Sequence, residues 1–272
     1  MTGSHVLRTA DDDGVRTLTL NRPHRRNALN RDLWEALHDA LDRAGRDPDV
    51  RALVLTGAGG AFCSGADVLD ADISRPADGS HPLRRLRALT DVALALHELP
   101  VPTVARVVGP AFGAGWNLAL GCDLVVAAPD ATFAQVFARR GLSVDCGGSW
   151  LLPRLVGMQQ AKRLTLLAET VDAREAHALG LVTWVVPEPE IDDFVGDLAA
   201  RLAAGPPIAL AQTKALLHEA ADGPLRDALA GEARAQAVNF ATADAAEAYA
   251  AFAGKREPRF TAAWTPHTSP TT

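Results

Sequence analysis

The chain has 272 residues, 48% of them hydrophobic, enough to bury a sizeable core in one main domain with a smaller appendage. Its 27 Lys and Arg against 33 Asp and Glu leave a net charge of −6, which argues against nucleic-acid binding through bulk charge, although Arg84, Arg85 and Arg87 form a local basic cluster. Three cysteines (Cys63, Cys122, Cys146) lack CxxC or metal-type spacing, no two histidines share a helix face, and no apolar signal core or membrane-length run is present, so a metal-free cytoplasmic protein with no membrane partner is expected.

In chain order, Val15 to Leu20 (VRTLTL) reads as a strand and NRPHRRNALN as a loop. Asn30 then stands where a helix N-cap belongs, because Leu33, Leu37, Leu41 and Ala44 recur at helical spacing. Arg51 to Thr56 is a second strand ending in GAGGAFCSGAD, and Pro102 to Val108 a third ending in GPAFGAGWN. Both are short and nearly all apolar, as in strands buried on both faces of a largely parallel sheet. Between them, Asp70 to Pro82 is polar and rich in turn formers, and reads either as a loop covering a ligand or as a solvated connection.

After Asp123, LVVAA and TFAQV read as strands, WLLPRLVG enters a helix-rich stretch, and VTWVV closes the sheet region. From Ile191 onward the pattern is helical, and TPHTSPTT reads as a frayed tail. The expected organisation is a core over residues 1–190, a helical C-terminal subdomain over 191–262 and a tail over 263–272.

Chemistry concentrates between Gly109 and Gly148, where GPAFGAGWNLALGCD is followed by GLSVDCGG. Small residues at 113–115 let a substrate carbonyl approach the orphan amides of a starting helix, where the dipole favours developing negative charge. Asp145 faces that turn as the candidate proton-transfer group. Asp123, at the end of a helix, and Asp130, in a turn after Pro129, read as structural acids. GAGWNL fails as a dinucleotide motif because Leu118 replaces the third glycine, and AFCSGAD lacks the GxSxG frame of a serine hydrolase.

From about Val15 to Phe260 these motifs, with RPHRRNALN, VPTVARVVGPAFGAGWNLALGCDLVVAA, GLSVDCGGSWLLPRLVG, DAREAHALGLVTWVV and FAGKREPRF, resemble the crotonase superfamily of enoyl-CoA hydratases and isomerases. The resemblance implies an α/β fold, a spiral of β-β-α repeats with a helical C-terminal region, assembled as a homotrimer or homohexamer. It implies acyl-CoA thioester substrates and no separate cofactor, coenzyme A being part of the substrate. The oxyanion hole is then the backbone N–H groups of Ala66 and Ala114. Arg26, Ala28, Leu29, Ser64, Ala66, Asp67 and Val68 match positions around the CoA nucleotide, and Phe252 and Lys255 match C-terminal positions that reach CoA.

The departures bear on the reaction. Hydratases of the family carry two glutamates where this chain has Asn117 and Phe137. Hydration needs one group to activate water and another to exchange the carbon-bound proton, and phenylalanine does neither. Asp145 matches the acid of family isomerases, closest to the ring-opened phenylacetyl-CoA and β,γ- to α,β-enoyl-CoA types. Trp116 and Trp150 are candidates to line an apolar acyl pocket, with core packing the alternative for at least one of them. An acyl-CoA double-bond isomerase is therefore expected. Hydration or thioester hydrolysis through Asp145 and a bound water is one alternative, and a non-catalytic CoA-thioester binder another.

Overall fold

A computed structural model of the chain describes residues 5–68 and 81–265, so nearly all of the expected loop at 70–82 and most of the expected tail lie outside the described residues. The chain opens with a hairpin, β1 (Leu7–Asp12) antiparallel to β2 (Val15–Leu20), turned by Asp13 and Gly14, both at positive φ. Such a two-residue turn matches the twist of the flanking strands. To β2 are added, all in parallel, β3 (Ala52–Gly57), β4 (Thr103–Val107), β6 (Leu124–Ala127) and β9 (Trp184–Val185), in the order β1-β2-β3-β4-β6-β9.

Side-chain alternation buries both faces of this sheet. Leu53 and Leu55 point into the main core, where α1 (Arg31–Arg46) delivers Leu33, Leu37, Leu41 and Ala44. Asn30 caps that helix as its sequence position predicts, Leu33 N–H donating to Asn30 Oδ1 at 3.2 Å. Val54, Val104 and Val126 face the other way and meet Ile191, Val195 and Leu198 of α6 (Glu188–Ala203). The spacing of those three residues is one helical stripe. Helix α6 begins at Glu188, before the expected boundary at residue 190, and forms a layer of the core.

A second, smaller sheet follows the order β5-β7-β8, with β5 (Pro110–Phe112) parallel to β7 (Thr132–Ala134) and β7 antiparallel to β8 (Thr170–Asp172). Parallel bridges Cys63↔Ala111 and Leu29↔Ala66 extend this layer through the first Gly-rich turn. Each repeat therefore runs from a strand of the large sheet to a short strand of the small one and into a helix, which is the β-β-α spiral of a crotonase-like α/β fold.

Helices α2 (Pro82–His97), α3 (Ala114–Gly121), α4 (Gly148–Leu166) and α5 (Ala173–Ala178) complete the spiral, with a non-helical break at Gly157 inside α4. The helical C-terminal region is α7 (Pro207–Ala220), α8 (Leu225–Phe240) and α9 (Ala243–Gly254). Residues 263–265, expected to fray, are instead held: Ala243 N–H donates to Ala263 O at 2.8 Å and Thr265 N–H to Ala241 O at 3.0 Å. Among the described residues, no single helix is long and apolar enough to cross a membrane.

Candidate active site

Two glycine-rich segments meet where the spiral places one repeat beside the next. Leu29 N–H bonds to Gly65 O at 2.8 Å, and Asp67 N–H bonds to Leu29 O at 3.0 Å. In a parallel bridge of this kind the residue between those partners turns its own amide to the opposite side, so Ala66 N–H points away from Leu29. Ala114 opens α3, and its N-cap, Gly113, has no side chain with which to cap the helix. Among the described residues, neither amide donates to a protein acceptor.

Glycines at three positions permit this approach. Gly113 sits at φ 53°, ψ −123°, a conformation suited to glycine, with the Phe137 ring 3.5 Å from where a Cβ would stand. A Cβ on Gly115 would lie 2.5 Å from Cys63 O, and one on Gly65 2.8 Å from Phe112 O and 3.8 Å from Ala114 N. The start of α3 therefore rests directly on the 63–66 segment. Its amides and the helix dipole make a preorganised site for an oxyanion.

Asp145 lies in the loop before α4, tied back to α3 by one side chain. Asn117 Nδ2 donates to Asp145 O at 2.8 Å, and Asn117 Oδ1 accepts from Gln135 Nε2 at 2.8 Å. Asn117 is 1% exposed, its amide engaged at both ends, so it positions the Asp145 loop. Gly148 makes room for it, since a Cβ there would stand 2.5 Å from Asn117 Nδ2. Gln135 was not legible as part of the site, because nothing in a lone glutamine signals a partner 18 residues away in sequence.

The Asp145 carboxyl is half-buried, and its Oδ1 is enclosed with no hydrogen-bond partner. Burial pushes its pKa above the ordinary value of 3.8, and a hydrogen bond with the Cys146 thiol offsets part of that rise. Cys146 itself takes a left-handed φ of 46°. Its thiol is pushed strongly upward by burial and by the adjacent Asp145, so it is no nucleophile at neutral pH. Asp145 is the acid left poised: enclosed, desolvated and a stronger base than a surface aspartate.

Beside this loop opens a cavity of about 480 Å³, walled by residues that include Leu94, Asn117, Gly147, Trp150 and Leu151. Trp150, a candidate to line an acyl pocket, lies on it. Trp116 does not; it is fully buried and packs on Phe133 with ring centroids 5.4 Å apart, so it belongs to the core.

The remaining candidates divide by exposure. Arg26 is exposed in a left-handed turn, and its carbonyl accepts from Ser64 N–H at 3.0 Å, holding the two loops together. Val68 is exposed, as are Phe252 and Lys255 at the end of α9. Ala28 and Leu29 are buried, Leu29 wholly within the core. Asp67, a candidate ligand contact, is buried and its carboxylate pairs with Arg22 at 2.9 Å, bracing the loop that presents Ala66. Asp123 is structural as expected, accepting from Thr103 N–H at 2.7 Å and Lys214 Nζ at 2.9 Å.

The model of the family described as enoyl-CoA hydratase/isomerase matches residues 10–263. A probable enoyl-CoA hydratase of Rhodobacter capsulatus is 42% identical, covering 94% of this chain and 98% of its own length. The 1,2-epoxyphenylacetyl-CoA isomerase of Escherichia coli is 38% identical, covering 95% and 97% respectively. Among solved structures, a putative enoyl-CoA hydratase from Streptomyces coelicolor A3(2) superposes with a TM-score of 0.88 at 43% identity, over 95% of this chain and 94% of that one. A putative enoyl-CoA hydratase/isomerase from Mycobacterium abscessus gives 0.87 at 39% identity, over 93% and 98%.

Proposed function

Because the chain belongs to the enoyl-CoA hydratase/isomerase family of the crotonase superfamily, we propose that it is an acyl-CoA isomerase that moves a β,γ double bond into conjugation with the thioester. The observation that carries this reading is the single enclosed carboxylate of Asp145, together with Asn117 and Phe137 where a hydratase needs its two acids. The Asp145 carboxylate takes the proton from the carbon next to the thioester. The electron pair moves onto the carbonyl oxygen, where Ala66 and Ala114 N–H groups stabilise the enolate. Collapse of the enolate shifts the double bond, and the proton on Asp145 returns two carbons away. Atoms and charge balance, and the carboxylate is regenerated.

In this reading CoA lies along the 26–29 and 64–68 loops, with Arg26 and Lys255 as its cationic contacts. An aromatic-derived acyl group is compatible with the Trp150 wall. The proposed setting is the cytoplasm and the proposed assembly a homotrimer or homohexamer, supported by exposed Leu217, Leu225, Phe240 and Phe252 on α7 to α9. No cofactor beyond the CoA of the substrate takes part.

A second reading, hydration through Asp145 and a bound water, is favoured by the name of the Rhodobacter relative. Paired assays with β,γ- and α,β-enoyl-CoA thioesters separate the two. The isomerase converts the first to the second and leaves the second unhydrated; hydration without isomerisation overturns the proposal.

A further inference from the structure

The cavity beside Asp145 contains polar groups that double-bond migration does not use. His97, from the last turn of α2, and His218, from the last turn of α7, stack with ring centroids 4.0 Å apart and planes 12° apart, and both line the cavity. Trp150 meets His97 edge-on at 5.3 Å. The Arg154 guanidinium lies 4.0 Å over Trp150 and pairs with Asp222 at 2.6 Å, so the wall is braced from behind.

Burial, the neighbouring imidazole and Lys214 hold His97 below the ordinary histidine range; burial and Lys214 do the same for His218. At neutral pH both rings are uncharged, which suits a face-to-face stack. Each neutral ring offers one N–H donor and one acceptor. Among the described residues neither makes a side-chain hydrogen bond, so this capacity faces the cavity unspent. The neighbouring walls are apolar at Ala93, Leu94 and Leu151, while Glu98 and Glu219 border the same space and disfavour an anionic guest. Cys146 and Gly147, directly after Asp145, form the near wall. In the acyl-CoA reading, a chain whose reacting carbons meet Asp145 continues past Cys146 and Gly147 into this space.

We propose that the cavity receives the distal part of an acyl group bearing an uncharged oxygen function, a hydroxyl or carbonyl, held by hydrogen bonds to His97 and His218. The inference rests on the acyl-CoA reading of the site and narrows its substrate class to oxygenated acyl thioesters. Its test needs no turnover. Calorimetry compares saturated acyl-CoA thioesters of one chain length, either plain or with one hydroxyl walked along the distal half.

At least one hydroxylated thioester should bind the native chain about three- to tenfold tighter than the plain one, the net worth of a typical hydrogen bond. In His97→Leu/His218→Leu the preference should vanish or reverse as the plain chain gains affinity. His218→Gln, which keeps a donor and an acceptor, should retain part of it and guards against a packing defect. Equal affinities in the native chain, or a preference untouched in the double variant, overturns the inference. A chain that shows the preference yet isomerises nothing overturns the proposed reaction alone, and failure to bind any acyl-CoA overturns both.

Discussion

At the scale of single residues, the proposed reaction turns on how Asp145 is enclosed. Its pKa is raised because burial penalises the charged form. The protonated acid is therefore favoured in the folded chain, a contribution to stability fully present below the unfolded value near 3.8 and lost as pH rises through the higher folded value. Asp145→Asn, which stays neutral, should unfold at a higher temperature than the native chain at pH 7, with the difference closing toward pH 3. Calorimetric melts across that range check this; an asparagine variant less stable at pH 7 contradicts it. Activity should run the other way, kcat/KM rising with pH through a value above the ordinary carboxylate range.

Asn117 shows a residue whose type was informative and whose task was not. Its place in the chain marks a missing acid, but only the fold reveals that its amide joins Gln135 to the Asp145 loop. Asn117→Ala should cost roughly 1–3 kcal/mol, the penalty for leaving the buried Gln135 amide unpaired, while Asp145 O keeps its bond from Gly148 N–H. Thermal or urea unfolding measures the loss. A fully stable variant shows that this relay is dispensable. The same limit applies to Asp67, whose partner Arg22 is 45 residues away and brought close only by the spiral.

At the scale of elements, the proposed oxyanion hole is a property of two segments held in contact. Gly115→Ala introduces a Cβ only 2.5 Å from the Cys63 carbonyl, a backbone atom that cannot swing aside. The start of α3 must then retreat from the 63–66 segment, separating the two amides. Weakening one such donor typically costs about a hundred- to a thousandfold in kcat. That loss should appear in kcat more than in KM, read by steady-state kinetics; unchanged kcat would detach the turn from catalysis.

Elements were legible where burial writes a pattern. β3 has an apolar run, and α1 has both a stripe and a cap. β1 exposes every residue after Leu7, and β5 is three residues long, so neither writes one. α2 opens on a proline among charged residues, and its buried Val92 and Leu96 stand in its second half. Of the candidate site, the glycine turn and the lone acid are visible in the sequence itself. The cavity wall is not, because it joins α2, α4 and α7 across more than a hundred residues of chain.

At the scale of the whole molecule, the polar surface of α7 to α9 is interrupted by large apolar side chains. Leu225 is 74% and Phe252 86% exposed, on the same region that carries Lys255. Burying such a surface between copies of the chain is favourable at about 25 cal/mol per Å². Light scattering on the purified protein should give the mass of a trimer or hexamer, little changed by added salt; a stable monomer contradicts the proposed assembly.

The central claim is that Asp145 alone moves the proton, and exchange in deuterated water tests it most directly. Incubated with a β,γ-enoyl-CoA thioester in D2O, the native protein should form the conjugated product with deuterium two carbons beyond the one next to the thioester, where the proton returns after exchange with solvent on Asp145. Asp145→Asn should slow product formation and deuterium incorporation by roughly 10²- to 10⁴-fold, the usual worth of a positioned acid–base group, while still binding the thioester. Equal exchange rates in the two proteins would contradict the account.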